Sequence, residues 1–374
     1  MNNSGWKASG QHGFKRIAPW VGYGLERERS MSLRMLGITS VFLLLIACQC
    51  SLPKADNRWS VVSWNVQNLF DGEDDGNEYK EFDPGTDSWS ERLYRRRLDR
   101  CAEVLENCLS ELPDLIVLQE LEKPEILDDL ADGLPGRGKY HWRVAVPGFG
   151  IIRCGILSRY PLRDIEVVDC GKYGVRSLRP ALSFIVDSPG GSVNVVAVHW
   201  KSPRDGRAAT EAARRQEALQ VRKIVEDDLR ADSSHPVLII GDMNTPGDGK
   251  VTPAALAPWN PENAADAHDA VLLRSEYKQA VGMREDSYVF FDPEPVGPAG
   301  GTYWFRDEWS RPDRALLSRG MLHPPGIVFE SCFTGASEVM GGFANRPVSW
   351  RSDLEEGYSD HLPLILEFRV EGER

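Results

Sequence analysis

The stretch Val237-Leu238-Ile239-Ile240-Gly241-Asp242-Met243-Asn244 is a short apolar run that stops on a glycine, a carboxylate and an amide. An apolar run of this length bounded by turn residues reads as a buried strand. Three other runs have the same construction: Val61 to Trp64 stops on Asn65, Leu115 to Leu118 runs through Gln119 to Glu120, and Val193 to Val198 stops on His199. If these strands run the same way, Asn65, Glu120, His199, Asp242 and Asn244 meet on one lip. Ligands of open α/β sheets bind at that edge, outside the carboxyl ends of the strands. Two more polar pairs stand at strand starts, Asp313-Arg314 before Ala315 to Ser318 and Asp360-His361 before Leu362 to Phe368. Antiparallel placement brings those starts to the same edge. Each piece alone is a common turn, and Gly-Asp-x-Asn also describes an Asx-capped turn; the coincidence of all six is what carries weight.

Around these runs the apolar periodicity predicts a helix between Ser90 and Leu112, through Leu98, Cys101, Leu105, Cys108 and Leu112, and a second through Val221, Ile224, Val225 and Leu229. Further strands are expected at Ile151 to Leu157, Ala181 to Val186 and Thr302 to Phe305. Early strands alternate with helices and later ones follow each other through loops, so mixed sheets covered by helices are expected. The stretches 71–87, 245–301 and 335–357 read as long loops.

The lip would gather carboxylates for a hard cation, amides to orient phosphate or water, and two histidines for proton transfer. The sequence has no Cys/His cluster with zinc spacing, no glycine-rich phosphate loop after a strand and no Gly-x-Ser-x-Gly elbow.

Trp64-Asn65, Gln119-Glu120, His199-Trp200-Lys201-Ser202, Gly241-Asp242-Met243-Asn244, Asp313-Arg314 and Ser359-Asp360-His361 occur in the order seen in the endonuclease/exonuclease/phosphatase family, which the chain resembles from about Ser60 to Phe368. The resemblance implies a four-layer α/β/β/α sandwich of two mixed sheets flanked by helices. It implies hydrolysis of a phosphoester by water with Mg²⁺, or Mn²⁺, as cofactor. Glu120 would seat the cation, with Asn65 on it or behind it and Asp360 either a ligand or an orienting carboxylate. Asn244 would hold phosphate or water, and Asp242 would orient the nucleophile. His361, backed by Asp313, would carry the proton, while His199 contacts phosphate or assists the opposite oxygen. Arg153, Arg179 and Lys201 are the implied substrate contacts. Two departures stand out: Gln67 replaces the acidic residue that exonuclease III-like members carry two places after the first Asn, and Arg153 stands where they carry a phosphate-binding Tyr. Deoxyribonuclease-like members share His199, Asp313-Arg314 and Arg179-Pro180-Ala181, but Ile152 stands where their Glu partner for the first His is expected.

Residues 31–47 have the layout of a secretory signal peptide: Arg34, then an apolar run closing on Leu45-Ile46-Ala47 before Cys48. The run is shorter than the ~20 apolar residues a permanent span needs, and the small residue before Cys48 makes this cysteine the expected lipid-bearing N-terminus of a protein in the bacterial cell envelope. Residues 1–30 carry no export logic, and synthesis is expected to start at Met31 or Met35. Residues 48–58 would then be a linker and 59–370 the domain. Removing residues 1–47 takes away six Lys/Arg and two Asp/Glu from 44 and 56, leaving a formal charge of −16. So acidic a chain gains little polyanion affinity from its net field, and contacts with nucleic acid must be local or carried by a cation. Of the seven cysteines, Cys101, Cys108, Cys154, Cys170 and Cys332 have no disulfide-framework spacing and are expected in the core.

The His-Trp-Lys-Ser run and the Arg before Pro-Ala favour a secreted or surface-anchored nuclease, with nucleic acid as substrate partner, the membrane as anchor and no protein partner implied. A sphingomyelinase-like phospholipase or inositol-phosphate phosphatase is the enzymatic alternative, which an exposed aromatic hairpin tip would favour. A non-catalytic surface binding protein on the same fold is the third reading. Trp304, Trp309 and Trp350 are candidates for base stacking or membrane contact, with Trp304 expected in the core.

Overall fold

The computed structural model describes residues 20–21 and 57–372, apart from 87, 136–138, 148–149, 246–271, 283–287, 298–300, 336 and 341–344. Cys48 and the segment 31–47 lie outside the described residues. No helix among the described residues is long and apolar enough to cross a membrane.

Two seven-stranded mixed sheets pack face to face. In the first, Arg58–Leu69 is central, parallel to Leu115–Leu121 and antiparallel to Leu364–Glu371; Arg153–Ser158 and Trp142–Ala145 extend one side, ending on the two-residue strand Trp20–Val21, and Gly326–Thr334 closes the other. In the second, Gly191–His199 and Val237–Asp242 run parallel at the centre. Asp313–Ser318 runs antiparallel to the latter, with Val289–Phe291 and Leu272–Arg274 beyond it, and Ala181–Ser188 and Leu162–Val168 lie on the other side.

The period-2 alternation of the strands splits their side chains between two layers. Trp59, Val61, Leu115, Val117 and Ile156 of the first sheet meet Leu182, Phe184, Val195, Leu238 and Ile240 of the second in one core. The opposite face of the first sheet is covered by the helices Glu91–Glu106 and Ile126–Gly133, and that of the second by Arg207–Ala231. Ser90 begins the first helix as an N-cap whose hydroxyl accepts from the Leu93 N–H. This is the α/β/β/α sandwich expected. Cys101, Cys108, Cys154, Cys170 and Cys332 are buried free thiols within it.

Three expectations need correction. The stretch 245–301 is not all loop, for it supplies the strands Leu272–Arg274 and Val289–Phe291 of the second sheet. Trp304 lies in a strand, Tyr303–Phe305, but that strand forms a hairpin with Glu308–Ser310 outside both sheets and meets the rest of the fold by a bridge from Tyr303 to His361, so its ring is half-buried against Trp309 and the Arg346 guanidinium rather than in the core. Trp350, a stacking candidate, is buried in the core beside Arg97.

Candidate active site

Strand polarity brings the six motifs together. His199 pairs with Asp242 at the shared end of two parallel strands, and Asp242 pairs with Asp313 at the start of the antiparallel neighbour. In the other sheet Asn65 pairs with Gln119, and Leu364 pairs with Ser63, which leaves His361 just outside the same edge. Gly241 is required there, because it has φ +143° and a Cβ at this position would lie 2.0 Å from the Val198 carbonyl oxygen.

Between Asn65 and Leu69 the strand bulges: Asn65 pairs with Gln119 but Leu69 with Leu121, and Gln67 and Asn68 take φ of 54°. The bulge turns the Asn68 N–H onto Glu120 Oε2 at 2.9 Å, while Glu120 itself sits at φ 70°. Backbone in this region is costly for residues with a side chain and is held here by its surroundings. Arg97 supplies much of that hold. It is fully buried on the apolar face of its helix, donates to the carbonyls of Val66, Gln67 and Tyr358, and so ties the bulge to the loop before His361. Ser359 adds a hydroxyl bond to Asn65 O at 2.7 Å, and the Trp64 indole donates to His361 O at 2.9 Å. Gln67, at the place of the acidic residue of exonuclease III-like members, accepts from the Trp350 N–H at 2.8 Å.

Asp242 is buried and accepts three hydrogen bonds. Its Oδ2 accepts from Asn65 Nδ2 and Asn244 Nδ2, both at 3.1 Å, and its Oδ1 accepts from the Asn244 N–H at 2.8 Å. Burial, and then the charge of Asp313, nevertheless raise its carboxyl above the ordinary range. Asn244 Nδ2 also donates to Trp200 O at 2.9 Å. His361 Nδ1 lies 2.8 Å from Asp313 Oδ2, which also accepts from the Thr302 hydroxyl at 2.6 Å. Burial opposes charge on His361, but Asp313 by field and hydrogen bond, with Asp360 and Asp242 behind it, holds its pKa well above the usual value. The ring of Tyr303 packs on it at 4.7 Å. His199 behaves oppositely: burial, helped by the Arg179 charge, drives its pKa well down, so it is neutral. Its Nε2 lies 3.6 Å from Glu120 Oε1 and 3.7 Å from Asp242 Oδ2, and its Nδ1 is buried without a hydrogen-bond partner among the described residues.

Burial, and then the charge of Asp360, raise the Glu120 carboxyl, with Arg179 and His361 acting against them. Two carboxylates held within each other's field beside amide and imidazole groups fit a hard divalent cation, which would relieve their repulsion. Asn65 stands between Asp242 and Glu120 as a hydrogen-bond donor, so its place is behind such a cation's carboxylates.

The implied substrate contacts separate. Arg179 donates to Trp200 O at 3.0 Å and its charge reaches Glu120 and His199. Lys201 is at the rim, its ammonium 2.8 Å from Asp205; beneath it the buried Glu217 accepts the Lys201 N–H and Arg214 donates to the Lys201 carbonyl. Arg153 donates to the carbonyls of Val146 and Gly150 and faces Glu122 and Glu125. Arg314 is spent on Asp292, which it shares with Arg311. Tyr79 and Arg204 were not singled out by the motifs. Tyr79 feels the charges of Arg179, Glu120 and Arg204, and Tyr303 those of Asp360, Asp242 and Arg204, which puts both phenols at the rim. Arg97 had a signal in its spacing of four from Leu93 and from Cys101.

A sequence model of the Endonuclease/Exonuclease/phosphatase family matches residues 62–361. No curated protein matches the sequence. Among solved structures the chain is similar to an endonuclease/exonuclease/phosphatase family protein from Bacteroides thetaiotaomicron, with 14% identity and a TM-score of 0.50 over 84% of this chain and 95% of that one. Truncated TDP2 from Caenorhabditis elegans gives 16% and 0.49 over 84% and 98% of the two chains. A mannosyl-6-phosphatase of Bacteroides thetaiotaomicron gives 15% and 0.49 over 83% and 99%. At such identities the first likeness speaks to the fold alone.

Proposed function

Because this chain belongs to the Endonuclease/Exonuclease/phosphatase family, we propose that it is a Mg²⁺-dependent phosphodiesterase whose substrate is nucleic acid. The observation that carries this reading is the buried Asp313–His361 pair set beside Asp242. It joins a histidine that keeps its proton to a carboxylate that can take one.

In the proposed reaction a water held by Asp242 and Asn244 attacks phosphorus and passes a proton to the Asp242 carboxylate. The P–O ester bond breaks opposite, and the leaving oxygen takes the proton of His361 Nε2, whose Nδ1–H stays on Asp313. Neutral His199 and Arg179 meet the phosphate oxygens. Glu120 and Asp360 would hold the Mg²⁺, which when bound neutralises charge building on the phosphate. Nucleic acid is favoured by Tyr303, whose ring lies on His361, and by Phe305, stacked on Tyr303 with centroids 6.2 Å apart, a platform suited to a planar base. We further propose that Cys48 anchors the enzyme in the cell envelope, on the strength of the apolar run that precedes it.

One observation favours a second reading as a phospholipase: Phe305, at the end of its hairpin, is 55% exposed and could enter a lipid interface. A panel of plasmid DNA, single-stranded DNA, RNA, sphingomyelin vesicles and inositol phosphates, each with Mg²⁺ and with chelator, separates the two. Chelator-sensitive cleavage of a polynucleotide is expected. Turnover confined to sphingomyelin or to phosphomonoesters would replace the nuclease reading, and no turnover of any substrate would remove the enzymatic one.

A further inference from the structure

The loop 71–78 has an acidic residue at every second place, Asp71, Glu73 and Asp75, followed by Gly76 at φ +75°. That is the opening of a calcium loop, with ligands at the first, third and fifth positions and glycine at the sixth. Its twelfth position, where such loops place a closing Glu, is Phe82, a buried core residue. The missing carboxylate comes from the neighbouring strand end instead. One carboxylate oxygen each of Asp75, Glu78 and Glu122 lie within 4.8 Å of one another. Glu122 is only 3% exposed; its Oε2 accepts the Asp71 N–H at 2.9 Å, and its Oε1 finds no donor among the described residues. A buried carboxylate oxygen without a partner is costly, and its own group lies within the acidic cluster.

A cationic group already occupies part of this place. The Lys123 ammonium is 2.6 Å from Asp71 Oδ2, 3.0 Å from Glu73 Oε2 and 3.1 Å from Asp75 Oδ2, the three side chains that a calcium loop would turn on its ion. Three carboxylates thus contact one ammonium, Glu122 lies in the field of that ammonium and of Asp71 and Glu78, and Arg153 feels the charge of Glu122. Glu78 is tied to the loop itself, accepting from the Asp75 and Asn77 N–H groups.

We propose that Asp71, Glu73, Asp75, Glu78 and Glu122 form a second cation site, selective for Ca²⁺, in which Lys123 competes with the ion and withdraws when it binds. Ca²⁺ fits because it takes six to eight oxygens in irregular geometry, whereas Mg²⁺ demands a near-ideal octahedron. The site would act on the catalytic rim, since Tyr79 follows Glu78 directly and packs on Phe70 at 5.4 Å with its phenol in the fields of Glu120 and Arg179.

The test is Tb³⁺ luminescence and thermal unfolding of the full chain in a Glu120→Gln background, which weakens the catalytic seat. Trp89 donates to the Asp71 carbonyl and is the built-in sensitiser. Tb³⁺ emission displaced by Ca²⁺ but poorly by Mg²⁺ is expected, together with a Tm that rises by about 2–4 °C for each tenfold excess of Ca²⁺ over its Kd. Asp75→Asn, on an exposed side chain that does not endanger folding, should lose both signals. Lys123→Gln should bind Ca²⁺ at least about tenfold more tightly, because the competing ammonium is gone. Unchanged Tb³⁺ binding in Asp75→Asn would mean an adventitious ion elsewhere and overturn the site. So would a Lys123→Gln protein that is destabilised and not restored by Ca²⁺, for Lys123 would then be the permanent cation of the loop.

Discussion

Asn65 Nδ2 lies 3.1 Å from Asp242 Oδ2, and this hydrogen bond joins the polar edge of one sheet to that of the other. Asn65 ends its pairing on the bulge and Asp242 ends a strand of the second sheet, so the relative setting of the two packed sheets reaches the reacting groups through one amide.

Replacing that amide by a carboxylate tests its electrostatic part. In Asn65→Asp the donor is lost and a like charge stands beside Asp242, which raises further a carboxyl already raised by burial. The acidic limb of the kcat/KM profile should therefore move to higher pH, because Asp242 must be ionised to take the proton. A limb that stays in place would detach Asp242 from the base role.

The alkaline limb should belong to His361. Its pKa is held above the ordinary value chiefly by Asp313, so activity that needs its proton should persist above pH 6.5 and fall as pH passes through the raised value. The same pair contributes stability in full below pH 6.5 that is lost through that range. Asp313→Asn should bring the limb down towards the ordinary histidine value, read as rate against pH at saturating Mg²⁺.

Glu120→Gln keeps the shape of the cation seat and removes one charge. The Mg²⁺ concentration for half-maximal rate should rise by about 10- to 100-fold, the range seen when cation sites are disturbed. Equal rates in parent and variant at all Mg²⁺ concentrations would place the metal elsewhere.

Arg97 tests how the bulge is held. Arg97→Leu leaves the carbonyls of Val66, Gln67 and Tyr358 without their buried donor, at a cost of about 3 kcal/mol. Tm should fall by roughly 6–12 °C, and kcat should fall beyond what the unfolded fraction explains, since both Glu120 and His361 rest on those loops. Full kcat in the folded fraction would confine Arg97 to stability.

The convergence of six motifs was readable because each strand carries its polar residue at an end, and strand polarity alone decides which ends meet. Asn65, Glu120, His199, Asp242, Asn244, Asp313, Asp360 and His361 all follow from that rule. The bulge at 66–68 was not readable: Val66, Gln67 and Asn68 look like more of the same strand, and only the pairing across to Glu120 shows the extra residues. The direction of Arg153 is not legible in the sequence, and its guanidinium donates to the carbonyls of Val146 and Gly150. Trp304 carries the strand pattern, but its ladder is the other arm of a hairpin outside both sheets, which a pattern cannot distinguish from a core strand. The acidic stretch 71–78 reads as no more than a loop in the sequence, because Glu122, which lies within its cluster, arrives from the end of another strand.

On the proposed mechanism Asp313 and His361 act as one proton-donating unit in phosphodiester hydrolysis. A double-mutant cycle on the best substrate of the panel tests it most directly, with rates and Tm taken on the parent, Asp313→Asn, His361→Ala and the double variant. Each single variant should lose about 10²–10⁴ in kcat with its fold intact, and the double variant should be little worse than the worse single one, because groups that act together are strongly non-additive. Losses that multiply, or that vanish once unfolded protein is discounted, would contradict the account.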